Sequence, residues 1–252
     1  MKFLRRLRTL LPKSVDIAIA KDSQRAREVA ALLRKPLRQR WRSLRPLWSI
    51  EQRMEKMLEP HPDPKFGTIA DHYLASSSWA WKLAILERLV EQRRAGSILE
   101  IGTAYGGSAV AMALAQQEPN LVTIDFFAPQ SKIGPENIRS VVPSGVECLT
   151  EDKNLALPRL VHEGRRFDFV FHDGGHSGDN YVDEFRLISK ALEPGSIFVF
   201  DDITWDNNPA NRATTKDWSR RTCYEGWLEV LSDPKVEGAV IAKGSIGILL
   251  TA

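Results

Sequence analysis

Phe167-Asp168-Phe169-Val170-Phe171 runs straight into His172-Asp173-Gly174-Gly175-His176, and Ile197-Phe198-Val199-Phe200 runs into Asp201-Asp202. Between these apolar runs lies a stretch of helical character, residues 179–192. A strand, a helix and a strand of this length join two parallel strands by a right-handed crossover, so both runs end on one edge of one sheet. That edge carries Asp173, His176, Asp201 and Asp202. In open α/β sheets ligands bind outside the carboxyl ends of the strands, so a metal or an acidic catalytic site is expected here.

The same rhythm extends on both sides. Upstream, residues 76–94 repeat apolar side chains at helical spacing (Trp79, Leu83, Leu86, Leu89, Val90) and close on Gly96. Strands are expected at 97–101, 121–126 and 146–149, and helices at 107–117, 136–142 and 155–162. Downstream, residues 203–216 are polar and proline-broken, and 217–231 read as a helix with Trp218, Tyr224, Trp227 and Leu228 as apolar members. Residues 236–242 and 245–250 form a hairpin pattern through Lys243-Gly244. This alternation predicts an α/β fold with a mostly parallel sheet, helices on both faces and a C-terminal antiparallel hairpin. Pro60-His61-Pro62-Asp63-Pro64 reads as a linker, dividing a basic helical N-terminal extension, residues 1–66, from the main domain, residues 67–252.

With 252 residues and 43% hydrophobic content, the chain can bury one substantial core. Cys148 and Cys223 have no metal or redox spacing and are too few for a disulfide scaffold, which points to a reducing cytoplasm. No apolar stretch reaches the roughly 18 residues that span a bilayer, and residues 14–20 are too short for a signal-peptide core. Charge is uneven: residues 1–60 hold 16 Lys and Arg against 6 Asp and Glu, and the rest of the chain holds 19 against 26. Phe3, Leu4, Leu7, Leu10 and Leu11 recur among Arg5, Arg6 and Arg8, a pattern that suits a membrane surface, an oligomer contact or a solvated helix. Nucleic acid is disfavoured as a partner, because the basic charges are scattered and the main domain is acidic.

Opposite the acidic edge stands Glu100-Ile101-Gly102-Thr103-Ala104-Tyr105-Gly106-Gly107-Ser108, a turn from a strand into a helix. Glycines let the backbone pass close to a ligand, and the helix start offers amide donors. The run lacks G-x-G-x-x-G spacing, and Glu100 would repel a pyrophosphate but attract an ammonium. Asp125 ends the next strand, where a carboxylate can accept both hydroxyls of a ribose. A ribose without phosphates joined to an amino acid describes S-adenosylmethionine.

Residues 98–108 resemble the first motif of catechol O-methyltransferase and small-molecule O-methyltransferase families, and Val122-Thr123-Ile124-Asp125 resembles their second. The resemblance covers residues 74–252 and implies the Rossmann-like, seven-stranded class I methyltransferase plan. It implies cofactor contacts from Glu100, Gly102, Thr103, Ala104, Tyr105, Gly106, Ser108 and Asp125, with adenine near Asp152. It further implies a divalent metal, Mg²⁺ or Mn²⁺, on Asp173, Asp201 and Asp202. Sugar and macrolide O-methyltransferases and cephalosporin hydroxylases carry a similar Asp-Gly-x-His, with the histidine as base, so His176 and Asp173 are the catalytic candidates. Methyl transfer to a hydroxyl of a small molecule or sugar is the implied reaction; hydroxylation or metal-assisted hydrolysis on the same fold, or nucleic-acid methylation, are the alternatives. Asp202 could instead cap a turn, and His176 the following helix. Asp168 reads as a strand start, His172 as support for the sheet, and His61, His72 and His162 as structural or surface residues. Trp205, Asn207, Asn208, Asn211 and Arg212 suit either an acceptor lid or a surface loop.

Overall fold

The computed structural model describes residues 12, 14–37, 40, 43–76, 80–217 and 219–252. The apolar pattern of residues 3–11, Trp79 and Trp218 lie outside them. In chain order the elements are β1 (Ile17–Lys21), α1 (Gln24–Leu33), α2 (Leu47–Met54), α3 (Ile69–Ser76), α4 (Ala80–Arg93), β2 (Ile98–Ile101), α5 (Gly107–Leu114), β3 (Leu121–Ile124), α6 (Gln130–Val141), β4 (Val146–Leu149), α7 (Lys153–His162), β5 (Phe167–His172), α8 (Gly178–Ile188), β6 (Leu192–Phe200), α9 (Pro209–Thr215), α10 (Cys223–Leu231), β7 (Val236–Ala242) and β8 (Ile246–Thr251). This is the expected Rossmann-like α/β plan, a mixed sheet ending in the antiparallel hairpin β7–β8. It has eight described strands where seven were expected.

The chain divides into two compact units, one holding residues 36–96 and 103–153, the other 14–35, 97–102 and 154–252. In the second unit the strand order is β1-β7-β8-β6-β5-β2. β2, β5 and β6 run parallel, with Ile101 level with His172 and His172 level with Phe200. Their carboxyl ends therefore align, which sets Gly102, Asp173 and Asp201 side by side. β5 is an apolar run because both of its faces are covered: Phe167, Phe169, Val170 and Phe171 are all buried. Each such phenylalanine contributes about 1.5–3 kcal/mol. Helices α8 and α10 meet at Gly178 and Gly226, where a Cβ on Gly226 would lie 2.3 Å from the Gly178 Cα.

The extra strand comes from the extension expected to be helical. β1 pairs antiparallel with β7, and Ser23 caps α1 through the Ala26 amide. Arg25 of α1 then donates to the carbonyls of Gly195 (2.7 Å) and Thr251 (2.8 Å) and pairs with Glu237. These contacts reach residues some 170 to 230 positions away, which local periodicity does not record.

In the first unit β3 and β4 pair in parallel, and α4 packs on α5, with Leu83, Leu86, Leu89 and Val90 among the residues it buries. The expected linker is folded: the His61 amide donates to the Gly67 carbonyl (2.8 Å), Pro60 bridges to Thr68, and the buried His61 ring meets Phe66 and His72.

Candidate active site

The aligned strand ends of the second unit bring Asp173, His176 and Asp202 together, with one ligand atom from each within 4.8 Å of the others. His176 Nε2 lies 3.3 Å from Asp173 Oδ1 and 3.5 Å from Asp202 Oδ2. These are ion-pair distances, and Nε2 is buried without an aligned hydrogen bond. Burial pulls the imidazole pKa down, but the carboxylates of Asp173 and Asp202 at these distances outweigh it and raise it to about 10. His176 also stacks on Trp205, ring centres 5.1 Å apart.

Each member is held by its neighbours. Asp202 has a left-handed backbone, φ +54°, rare for a residue with a Cβ and costly by about 1–3 kcal/mol. Its Oδ1 accepts from Ser245 Oγ and its carbonyl from the Trp205 amide. Asp201 is buried outside the trio: its Oδ1 accepts the Asp202 amide (2.8 Å) and its carbonyl accepts the Tyr181 hydroxyl (2.6 Å). His172, one residue before Asp173, is buried against Glu184 at 2.9 Å and supports the strand from beneath. Asp168 accepts the Ser97 amide at the other end of β5. Fully buried Glu100 is the penultimate residue of β2 in this unit, and Gly102, φ +98°, follows the strand, where a Cβ would lie 2.6 Å from the Asp173 carbonyl oxygen. Only glycine fits there.

The remaining cofactor candidates belong to the first unit. Asp125 Oδ2 accepts the Ala104 amide (2.8 Å) and Oδ1 the Phe127 amide (3.0 Å), so the fold holds this carboxylate with two backbone donors. Thr103 Oγ1 bonds Thr123 Oγ1, and Ser108 is buried in the first turn of α5. Gly106 is left-handed and caps α5. Asp152 sits half-buried just ahead of α7. Tyr105 is buried, which pushes its pKa up to about 12, and its hydroxyl lies 2.8 Å from His72 Nδ1. His72 is thus a partner of the glycine turn. The sequence reading missed that role because Tyr105 is 33 residues further on.

The segment expected as either an acceptor lid or a surface loop carries regular turns. Trp205 begins a 3₁₀ turn whose carbonyl accepts Asn211 Nδ2 (2.8 Å), and Asn208 caps α9 with Pro209 at its first position. Asp206 is buried, accepting the Cys223 amide with Arg212 at 3.6 Å. The pair Asn208-Pro209 is an N-cap signal that could have revealed α9.

The donor set fits a divalent cation: two half-exposed carboxylates and an imidazole converge, and oxygen-rich ligation suits Mg²⁺ or Mn²⁺. The glycine turn likewise fits a cofactor that approaches the backbone closely, since a Cβ at Gly102 has no space.

Residues 99–203 match the model of a methyltransferase domain family. Among curated proteins, the chain is 29% identical over 134 residues to a catechol O-methyltransferase of Niastella koreensis, covering 52% of this chain and 60% of that protein. It is 27% identical over 199 residues to catechol O-methyltransferase B of Danio rerio, covering 73% of each. Among solved structures, the O-methyltransferase TomG from Streptomyces achromogenes, involved in tomaymycin synthesis and determined with S-adenosylmethionine, superposes with a TM-score of 0.60. That likeness covers 83% of this chain and 89% of TomG at 21% identity, and shows the fold.

Proposed function

We propose that this chain, whose residues 99–203 match a methyltransferase-domain family and whose fold is shared with TomG, transfers the methyl group of S-adenosylmethionine to a hydroxyl of a small molecule or sugar. The observation that carries the acceptor side is the convergence of Asp173, His176 and Asp202 at the aligned strand ends. Methyl transfer from a sulfonium is an in-line displacement, so the protein must orient the acceptor oxygen and take its proton. Asp173 and Asp202 would hold a divalent cation, and Asp201 shapes the turn that aims Asp202. A bound cation would supply a lowered acceptor pKa and would offset the two carboxylates that favour a proton on His176. His176 Nε2 is the group placed to take the hydroxyl proton, which it does in its neutral form. Glu100 offers its carboxylate to the amino group of the cofactor, and Asp125 its remaining lone pairs to the ribose.

Calorimetric titration with S-adenosylmethionine tests the reading. Binding is expected with or without Mg²⁺, and its absence in both would overturn it. If EDTA and Asp202→Ala both left methyl transfer intact, the cation would be superfluous and the methyltransferase reading would stand alone.

A further inference from the structure

A second site, independent of that reading, lies in the first unit between α6 and β4. A groove of about 340 Å³ is bounded by Ser131, Lys132, Pro135, Glu136 and Arg139 of α6 and by Cys148 and Thr150 on and just after β4. Cys148 and Thr150 alternate onto one face of the strand, and Lys132, Glu136 and Arg139 recur at helical spacing above it. Lys132 and Arg139 are exposed, and neither makes a hydrogen bond or ion pair among the described residues. The single acid of the lining, Glu136, is paired with Arg53. The groove therefore keeps the charge of two cations, placed roughly 10 Å apart along the helix at about 1.5 Å per residue. The Ser131 hydroxyl adds a neutral donor, while the Thr150 hydroxyl donates to the Ser131 carbonyl (3.3 Å).

An exposed lysine on a helix is ordinarily a solvated charge. Here two stand along one concave surface with the Ser131 hydroxyl on its rim and no acid of the lining left over, which is the chemistry that recognises an extended anion. We propose that the groove binds the phosphate groups of a small phosphorylated ligand, with Lys132 and Arg139 each contacting one end of the anion. Inorganic pyrophosphate and a nucleoside diphosphate share that chemistry and differ in whether a base is also needed.

Calorimetry of the full chain at low salt with EDTA, using inorganic pyrophosphate and then adenosine diphosphate as probes, tests this. Binding is expected, weakened roughly tenfold by Lys132→Gln or Arg139→Gln and lost in the double variant, as charge-assisted hydrogen bonds imply. Tighter binding of the diphosphate than of pyrophosphate would identify a nucleotide as the ligand; equal binding would identify the free anion. Both substitutions are at exposed positions, and unchanged affinity for S-adenosylhomocysteine would show that each variant is folded. The proposal is overturned if neither probe binds, if the double variant binds as well as the original chain, or if S-adenosylhomocysteine displaces the probe, which would put the anion at the glycine turn. Loss of S-adenosylhomocysteine binding in the original chain would instead contradict the proposed function and leave the groove standing.

Discussion

Two carboxylate sites in this molecule are built in opposite ways. Asp125, in the first unit, has each oxygen occupied by a backbone amide, at 2.8 and 3.0 Å. Asp173 and Asp202, in the second, converge on one imidazole at 3.3 and 3.5 Å, and its Nε2 makes no aligned hydrogen bond. The first is positioned by the turn around it and suits a ligand that must be held in place. The second concentrates charge that a proton on His176 partly compensates, which suits chemistry, where a proton has to move.

Asp173→Asn removes half of the charge holding His176 and a cation ligand, so methyl transfer should fall by roughly 10²–10⁴-fold while the fold survives; a rate assay showing less than a tenfold loss would remove Asp173 from the chemistry. Gly102→Ala forces a Cβ against the Asp173 carbonyl at 2.6 Å and a strained φ, and should cost on the order of 3 kcal/mol in urea unfolding. Asp125→Asn sets an NH₂ against one of the two backbone N–H donors and also weakens acceptance from hydroxyls, and should reduce cofactor affinity by about tenfold or more.

The smallest effect concerns His72, which burial and then the nearby charge of His61 hold below its ordinary 6.5. A base whose folded pKa lies below its unfolded one binds fewer protons when folded, so its contribution is present in full above about 6.5 and declines as the pH falls. Urea midpoints between pH 7.5 and 5.5 should therefore drop more in the original chain than in His72→Gln. Equal slopes would mean that His72 carries no such linkage.

The strand ends were readable in the sequence because buried parallel strands are continuous apolar runs, and Phe167–His172 lies where that pattern put it. Asp173, His176 and Asp202 were readable because parallel crossovers return strands to one edge. What local pattern does not record is partnership over distance. β1 is Ile-Ala-Ile-Ala-Lys, an unremarkable stretch until it meets β7, and His72 has no meaning until Tyr105 arrives against it. The exclusion of Asp201 from the trio depends on a turn in which Asp202 takes a left-handed backbone, a conformation that aspartate adopts more readily than most residues but that neighbours must enforce.

The most direct measurement is the affinity for S-adenosylhomocysteine of the original chain, Asp125→Asn and Asp173→Asn, taken side by side by calorimetry. If Asp125 belongs to the cofactor and Asp173 to the acceptor, the original chain binds, Asp125→Asn binds about tenfold more weakly, and Asp173→Asn binds as the original does. No binding by the original chain, or an equal loss in both variants, would contradict the division of labour between the two carboxylate sites.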